Sequence, residues 1–406
     1  MADPPKTAAQ LGIMQGSPPT RVVDMSKWDK GPDNRWAFQH ISEIIPTANI
    51  GRGSGSPAPL PRALHDVSDV SFKDLKGEKM TVSQMLDATY TDGIVVLHNG
   101  KVAFEKYYNG MTPDTRHLLM STSKSVTGTL AGILVSDGRL KPDAKVIKYL
   151  PELKSSPGFS GATVREVLDM TTSIVFSEDY DNPKAEVVFH EEATAWRGRT
   201  PLAEKGLYAF ARTIKKDKRD HGLVFHYASI NTDVLGWLIE RAGDERFIDQ
   251  MSKSIWSKLG AEHDAQISVD YRGSAVANGG FCITARDLAR FGQMVLQKGR
   301  YNGQQIVSAA WIDDIRNNGK NSAWKPTHYS KIWPDGFYRN QWYVSKDDHD
   351  SFFAVGVNGQ HIWINPKTNV VIVKFSSFPK SADKDSMMTA MSGMNAVARY
   401  LGKTDK

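Results

Sequence analysis

A serine hydroxyl and a lysine amine stand three residues apart in Ser121-Thr122-Ser123-Lys124, where an amphipathic segment begins. Residues 125–137 place Val126, Leu130, Ile133 and Leu134 on one stripe at helical spacing, and Gly138 follows as a C-cap. Positions i and i+3 share a helix face, so Lys124 can reach the Ser121 hydroxyl while Ser123 points elsewhere. A serine is a poor nucleophile until a base takes its proton. A lysine held neutral by burial and by neighbouring positive charge can be that base. The helix N-terminus would add partial positive charge beside an oxyanion formed there.

The spacing alone is common, and it recurs at 322–325, 377–380 and 381–384. Pro326 follows the first repeat and Pro379 interrupts the second. The last two fall in a polar Ser/Lys/Asp loop, so none of the three is expected to open a helix. A catalytic reading of Ser121 therefore needs partners elsewhere in the chain.

The elements that must position these groups belong to an ordinary globular composition. The chain has 406 residues, enough for one large domain or two intimate ones. Its formal charge of +6 is spread along the sequence. The densest basic run, Lys215-Lys216-Asp217-Lys218-Arg219, is broken by acid and reads as a solvated loop, so no nucleic-acid partner is expected. The single cysteine, Cys282, cannot form an internal disulfide and reads as a small buried hydrophobe. No apolar run reaches membrane-spanning length, and Met1-Ala2-Asp3-Pro4-Pro5-Lys6 lacks the layout of a secretory signal. A cytoplasmic protein with no membrane partner is the expectation.

Residues 51–61, rich in Gly, Ser and Pro, read as an irregular surface segment, and 82–89 as a short helix. Ile94-Val95-Val96-Leu97, the turn His98-Asn99-Gly100 and residues 101–108 predict a β-hairpin. Helices are predicted over 164–170, 202–215, 231–242, 247–259 and 285–297. The aperiodic stretch 171–199 reads as a long binding loop. Strands return at 341–345, 352–357, 360–364 and 370–375, and a helix over 387–401 closes the chain. These elements imply an α+β fold with one antiparallel sheet drawn from both chain ends and flanked by helices. The expected division is an α/β domain from 1–150 and 281–406, with 1–60 an irregular N-terminal arm, and a mainly helical insert over 151–280. Ser121 would sit at their junction, where clefts form.

The order hairpin, Ser-x-x-Lys helix, helical insert, tyrosine motif, closing strands and terminal helix resembles serine hydrolases of the β-lactamase and penicillin-binding-protein superfamily. Within it, the chain looks most like the 6-aminohexanoate-dimer hydrolases (nylon-oligomer hydrolases) and related carboxylesterases. The stretches that carry this are His117-Leu118-Leu119-Met120-Ser121-Thr122-Ser123-Lys124-Ser125, Tyr227-Ala228-Ser229-Ile230-Asn231-Thr232-Asp233-Val234-Leu235, Ala277-Asn278-Gly279-Gly280 and Thr284-Ala285-Arg286-Asp287-Leu288-Ala289-Arg290. Asn34-Arg35-Trp36-Ala37-Phe38 extends the likeness into the arm. The resemblance implies Ser121 as nucleophile, Lys124 as base and Tyr227 as proton relay, either shifted toward phenolate or passing a proton. It implies an oxyanion hole from the backbone N–H groups of Ser121 and Val357. The superfamily's closing-strand Lys-Thr-Gly is replaced here by Val355-Gly356-Val357, which argues against β-lactams and for amide or ester substrates. Tyr180 and Glu191 fall where the nylon-type enzymes contact the scissile amide and the substrate ammonium, with Glu192 an alternative to Glu191. Asn278 matches a binding-site asparagine, while Trp196 and Tyr343 would wall the cleft.

The implied activity is cleavage of 6-aminohexanoate linear dimer-like amides and short-chain esters through an acyl-enzyme, with no cofactor, no metal and a small-molecule substrate as partner. A homodimer is plausible by the same resemblance. Competing readings are a carboxylesterase or D-amino-acid amidase with little nylon-oligomer activity, and a non-catalytic penicillin-binding-like sensor. A Ser/His/Asp hydrolase lacks its Gly-x-Ser-x-Gly elbow, and a zinc hydrolase lacks a second histidine four residues after His190.

Overall fold

Alternation along the hairpin strands decides the architecture. In the computed structural model, which describes residues 4–347 and 349–404, Val95 and Leu97 face one hydrophobic core and Ile94 and Val96 face another. Both faces of the sheet are covered, so its strands read as nearly continuous apolar runs. Seven antiparallel strands line up as Phe337–Arg339, Trp342–Val344, Phe352–Gly356, Gln360–Asn365, Val370–Ser376, Thr91–His98 and Lys101–Tyr107. The two chain ends meet where Val373 pairs with Val95. Helix Ala285–Leu296 packs on one face through Leu288, Phe291 and Met294. Helix Lys384–Thr404 packs on the other through Met391, Met394 and Val397.

A second sheet was not foreseen. Strands Thr47–Ile50, Ala265–Ser268, Phe281–Thr284 and Arg116–Leu118 form it, each too short to show a period of its own. Its last member delivers the chain directly to Ser121. The helix expected over 202–215 is two short ones, Pro201–Lys205 and Leu207–Ala211. Gly206 breaks them, at a φ of 81° that other residues rarely adopt. The presumed loop 171–199 contains a helix, Glu186–Ala193. Of the recurring Ser-x-x-Lys patterns, Ser322 lies in the four-residue helix Asn321–Trp324 and Lys384 opens the terminal helix, both contrary to expectation.

Cys282 is buried, and burial pushes its thiol up to about 12. Four residues of the basic run are exposed, with Arg219 paired to Asp217. Met1 to Asp3 of the N-terminal reading lie outside the described residues. Among those described, no helix is long and apolar enough to cross a membrane.

Candidate active site

The chain turns into Ser121 through an uncommon backbone conformation. Met120 sits at a φ of 45° and opens the 3-10 turn Met120–Thr122, which runs into helix Ser123–Ser136. A non-glycine residue held there marks a strained position fixed by its surroundings. The turn sets Ser121 at the mouth of a cleft and brings Lys124 beneath it.

Lys124 Nζ donates to Ser121 Oγ at 2.8 Å and to the Asn278 carbonyl at 3.0 Å. The lysine is 1 % exposed. Burial lowers its pKa from 10.5 to about 8, while the Glu178 and Asp233 carboxylates pull the other way. The expected neighbouring positive charge is not what neutralises it; desolvation is. Tyr227 borders the same chamber as Ser121, and the Lys124 ammonium lies 5.1 Å from the Tyr227 ring centre. Burial holds the Tyr227 phenol well above its ordinary 10, with Tyr338 and Glu178 adding to the effect. Of the two roles expected for Tyr227, this environment disfavours the phenolate and suits a neutral phenol.

The closing strand Phe352–Gly356 touches the turn that carries Ser121. A β-carbon placed on Gly356 would lie 2.6 Å from the Leu119 carbonyl oxygen and 3.0 Å from the Ser121 nitrogen. Only glycine lets the two backbones approach this closely. Val357, next in the chain, lines the cleft with Ser121.

Two chambers meet at Ser121, and both are also lined by Tyr180, Val357 and Ser381. The inner one, of about 20 Å³, is bordered by Glu191, Trp196, Asn278 and Asp29 of the N-terminal arm. The outer one, of about 310 Å³, is bordered by Tyr227, Tyr343 and a row of aromatic and methionine side chains. Eight of the nine residues expected from the sequence border these chambers, and the ninth, Lys124, is buried beneath Ser121. Glu191, not Glu192, is the loop acid that borders the inner chamber.

Glu191 differs from expectation in one respect. It is already paired with Arg197, at 2.5 and 3.1 Å, and Arg197 also forks onto Asp29 at 2.8 and 2.9 Å. Burial raises the Glu191 carboxyl to about 7 against the opposing pull of Arg197. Trp196 Nε1 donates to Ser268 Oγ at 3.0 Å and its ring meets Trp28 edge-on. The Tyr343 ring stacks against Tyr227 at 6.3 Å.

Glu178 and Asp233 were missed as site residues, although both lie in stretches already quoted or adjoining them. Glu178 accepts from Tyr180 Oη at 2.6 Å and from the Ser229 amide at 2.6 Å. It thereby ties the former loop to the Tyr227 segment. Asp233, on helix Ile230–Gly243, accepts from the Asn278 amide at 3.0 Å and its Nδ2 at 2.7 Å, and lies 2.7 Å from His190 Nε2. It thus fixes the residue whose carbonyl holds Lys124. Their sequence signal, isolated acids without spacing, is indistinguishable from surface decoration.

Residues 79–391 match the family model described as Beta-lactamase. The chain is 38 % identical over 355 residues to the 6-aminohexanoate-dimer hydrolase of Paenarthrobacter ureafaciens, covering 87 % of this chain and 88 % of that one. A Bacillus anthracis structure provisionally described as a 6-aminohexanoate-dimer hydrolase superposes with a TM-score of 0.84 at 28 % identity, covering 94 % and 97 % of the two chains. A D-stereospecific amidohydrolase from a Streptomyces species shares the fold, at a TM-score of 0.58 and 18 % identity over 76 % of this chain and 97 % of its own. The chain belongs to the β-lactamase family and is a serine hydrolase of that superfamily.

Proposed function

We propose that this protein cleaves amide and short-chain ester bonds by two-step acyl transfer through Ser121. The observation that carries the reading is the Lys124 nitrogen 2.8 Å from the Ser121 hydroxyl oxygen, with Tyr227 bordering the same chamber as that serine. The neutral fraction of Lys124 takes the serine proton as Oγ bonds to the carbonyl carbon. The backbone N–H groups of Ser121 and Val357 meet the resulting oxyanion. The C–N or C–O bond then breaks, its electron pair leaving on nitrogen or oxygen. Tyr227, a neutral phenol, protonates that atom and recovers a proton from Lys124. Water next adds to the acyl carbon, its proton returns along the same groups, and Ser121 is released with the carboxylic acid.

Val355 occupies the closing-strand position where a Lys-Thr-Gly lysine would stand, and it faces the outer chamber. Without that cation a β-lactam carboxylate loses its partner, which favours simple amides and esters. The likeness to a relative named for 6-aminohexanoate dimer makes that linear dimer the first amide to test. Glu191 would meet the ammonium of that dimer only once its pair with Arg197 opens to admit the six-carbon acyl chain. That pre-existing pair favours, as the second reading, a carboxylesterase whose substrates carry no ammonium.

The test is hydrolysis of p-nitrophenyl acetate, 6-aminohexanoate dimer, a D-amino-acid amide and a cephalosporin by the wild type and Ser121→Ala. Ester or amide turnover that vanishes in a normally folded Ser121→Ala, with an acetyl group trapped on Ser121 in the wild type, is expected. Tyr227→Phe should lower kcat by about 10²–10⁴ with little change in KM. A wild type silent on all four substrates, or rapid only on the cephalosporin, overturns the proposal. An unchanged dimer rate in Glu191→Gln removes Glu191 from substrate recognition.

A further inference from the structure

We infer that the outer chamber is a leaving-group subsite that takes the apolar chain of an alcohol or amine, and that the opposite side of Ser121 admits only a small acyl group. The inference rests on the nucleophilic role proposed for Ser121 and adds direction to it. Tyr227, which hands a proton to the departing atom, borders the outer chamber and not the inner one. The leaving group must therefore depart on that side, and the acyl group must lie on the other.

The two sides differ in size and chemistry. The inner chamber, at about 20 Å³, is room for one water. A six-carbon acyl chain does not enter it unless the Asp29–Arg197–Glu191 bridge rearranges. The outer chamber, at about 310 Å³, reaches the size of small-molecule sites. Met387, Met388 and Met391 of the terminal helix form one wall, facing Trp333 and Phe353. Methionine walls adapt to unbranched chains of different length. The charged groups there do not contradict an apolar guest. Glu178 is spent on Tyr180 and Ser229. Asp383 accepts from the Ser386 amide and hydroxyl. Lys384 is exposed at the rim.

The experiment measures kcat/KM for acetate esters of ethanol, butanol and hexanol, whose leaving oxygens have similar intrinsic reactivity. Ethyl butanoate and ethyl hexanoate lengthen the acyl side instead. Each methylene added to the alcohol should raise kcat/KM by about two- to fourfold until the chamber fills. Each lengthening of the acyl side should lower it. In Met387→Ser and Met388→Ser, checked for folding by thermal melting, the dependence on alcohol length should flatten. A Ser121-dependent rate that is flat in alcohol length, or one that climbs with acyl length, overturns this inference and leaves the nucleophile standing. Absence of Ser121-dependent turnover across the whole series overturns both.

Discussion

Gly356→Ala tests the oxyanion hole proposed at Ser121 and Val357 without altering any side chain proposed to do chemistry. A β-carbon there would meet the Leu119 carbonyl oxygen at 2.6 Å and the Ser121 nitrogen at 3.0 Å. An unstrained contact needs about 3.5 Å, so the closing strand and the Ser121 turn must part by roughly 0.5–0.9 Å. The φ of Gly356 is −118°, which alanine adopts freely, so sterics alone drive the shift. Donors serve an oxyanion only within about 2.7–3.1 Å, and a displacement of this size takes the Val357 N–H out of that range. Loss of one such donor costs about 10²–10³ in kcat, or about 2.7–4 kcal/mol of transition-state stabilisation. Ground-state binding is expected to change little, so the loss should appear in kcat and not in KM. Overpacking should also cost about 1–3 kcal/mol of stability, to be read from urea unfolding. The assay is steady-state hydrolysis of p-nitrophenyl acetate by folded enzyme. A Gly356→Ala enzyme with kcat within about threefold of wild type would refute the assignment of Val357 as an oxyanion donor.

Because Lys124 must be neutral to act as base and its pKa is lowered to about 8, kcat/KM should rise about tenfold per pH unit below that value and level off above it. Glu178, Asp233 and the Tyr227 phenol face the same amine, and Glu178→Gln, which removes a carboxylate that holds the proton on, should move the inflection to lower pH; a profile flat from pH 6 to 9 would discard Lys124 as the base. A second buried lysine, Lys374, sits on strand Val370–Ser376 against the Thr89 carbonyl and the Ser376 hydroxyl, and burial lowers it to about 7 despite the pull of Asp92. Its folded pKa lies below the unfolded value near 10.4, so the unfolded chain holds the extra proton between these limits and stability should climb with pH there. Between pH 7 and 8.5 that gain is about 2 kcal/mol, and urea unfolding of Lys374→Met should lack it; an equal climb in the variant would refute the assignment.

The Ser121–Lys124 contact was legible in the sequence because it is local. An i, i+3 spacing at a helix start is a distance in disguise, and that contact follows from it. The hairpin and closing strands were equally plain, since two buried faces leave unbroken apolar runs such as Ile94 to Leu97. Helix Glu186–Ala193 was hidden for the opposite reason. Two of its buried positions are His190 and Glu191, polar residues satisfied by Asp233 and Arg197, so no hydrophobic period marks it. The charge around Lys124 was misjudged because Glu178 and Asp233 approach from separate segments. Long-range pairings of that kind, like the four-stranded sheet, leave no trace in spacing.

Asp29 forms part of the inner wall, and the arm that brings it there is pinned by Asn34 Nδ2 on the Phe378 carbonyl and by Arg35 on Asp92 and Ser377. The stretch recognised by the family model starts only at residue 79. Trimming the protein to that stretch for expression would strip Arg197 of its bidentate anchor and leave Ser121 facing a breached enclosure. The enclosure around Ser121 is completed by residues well upstream of the family signature.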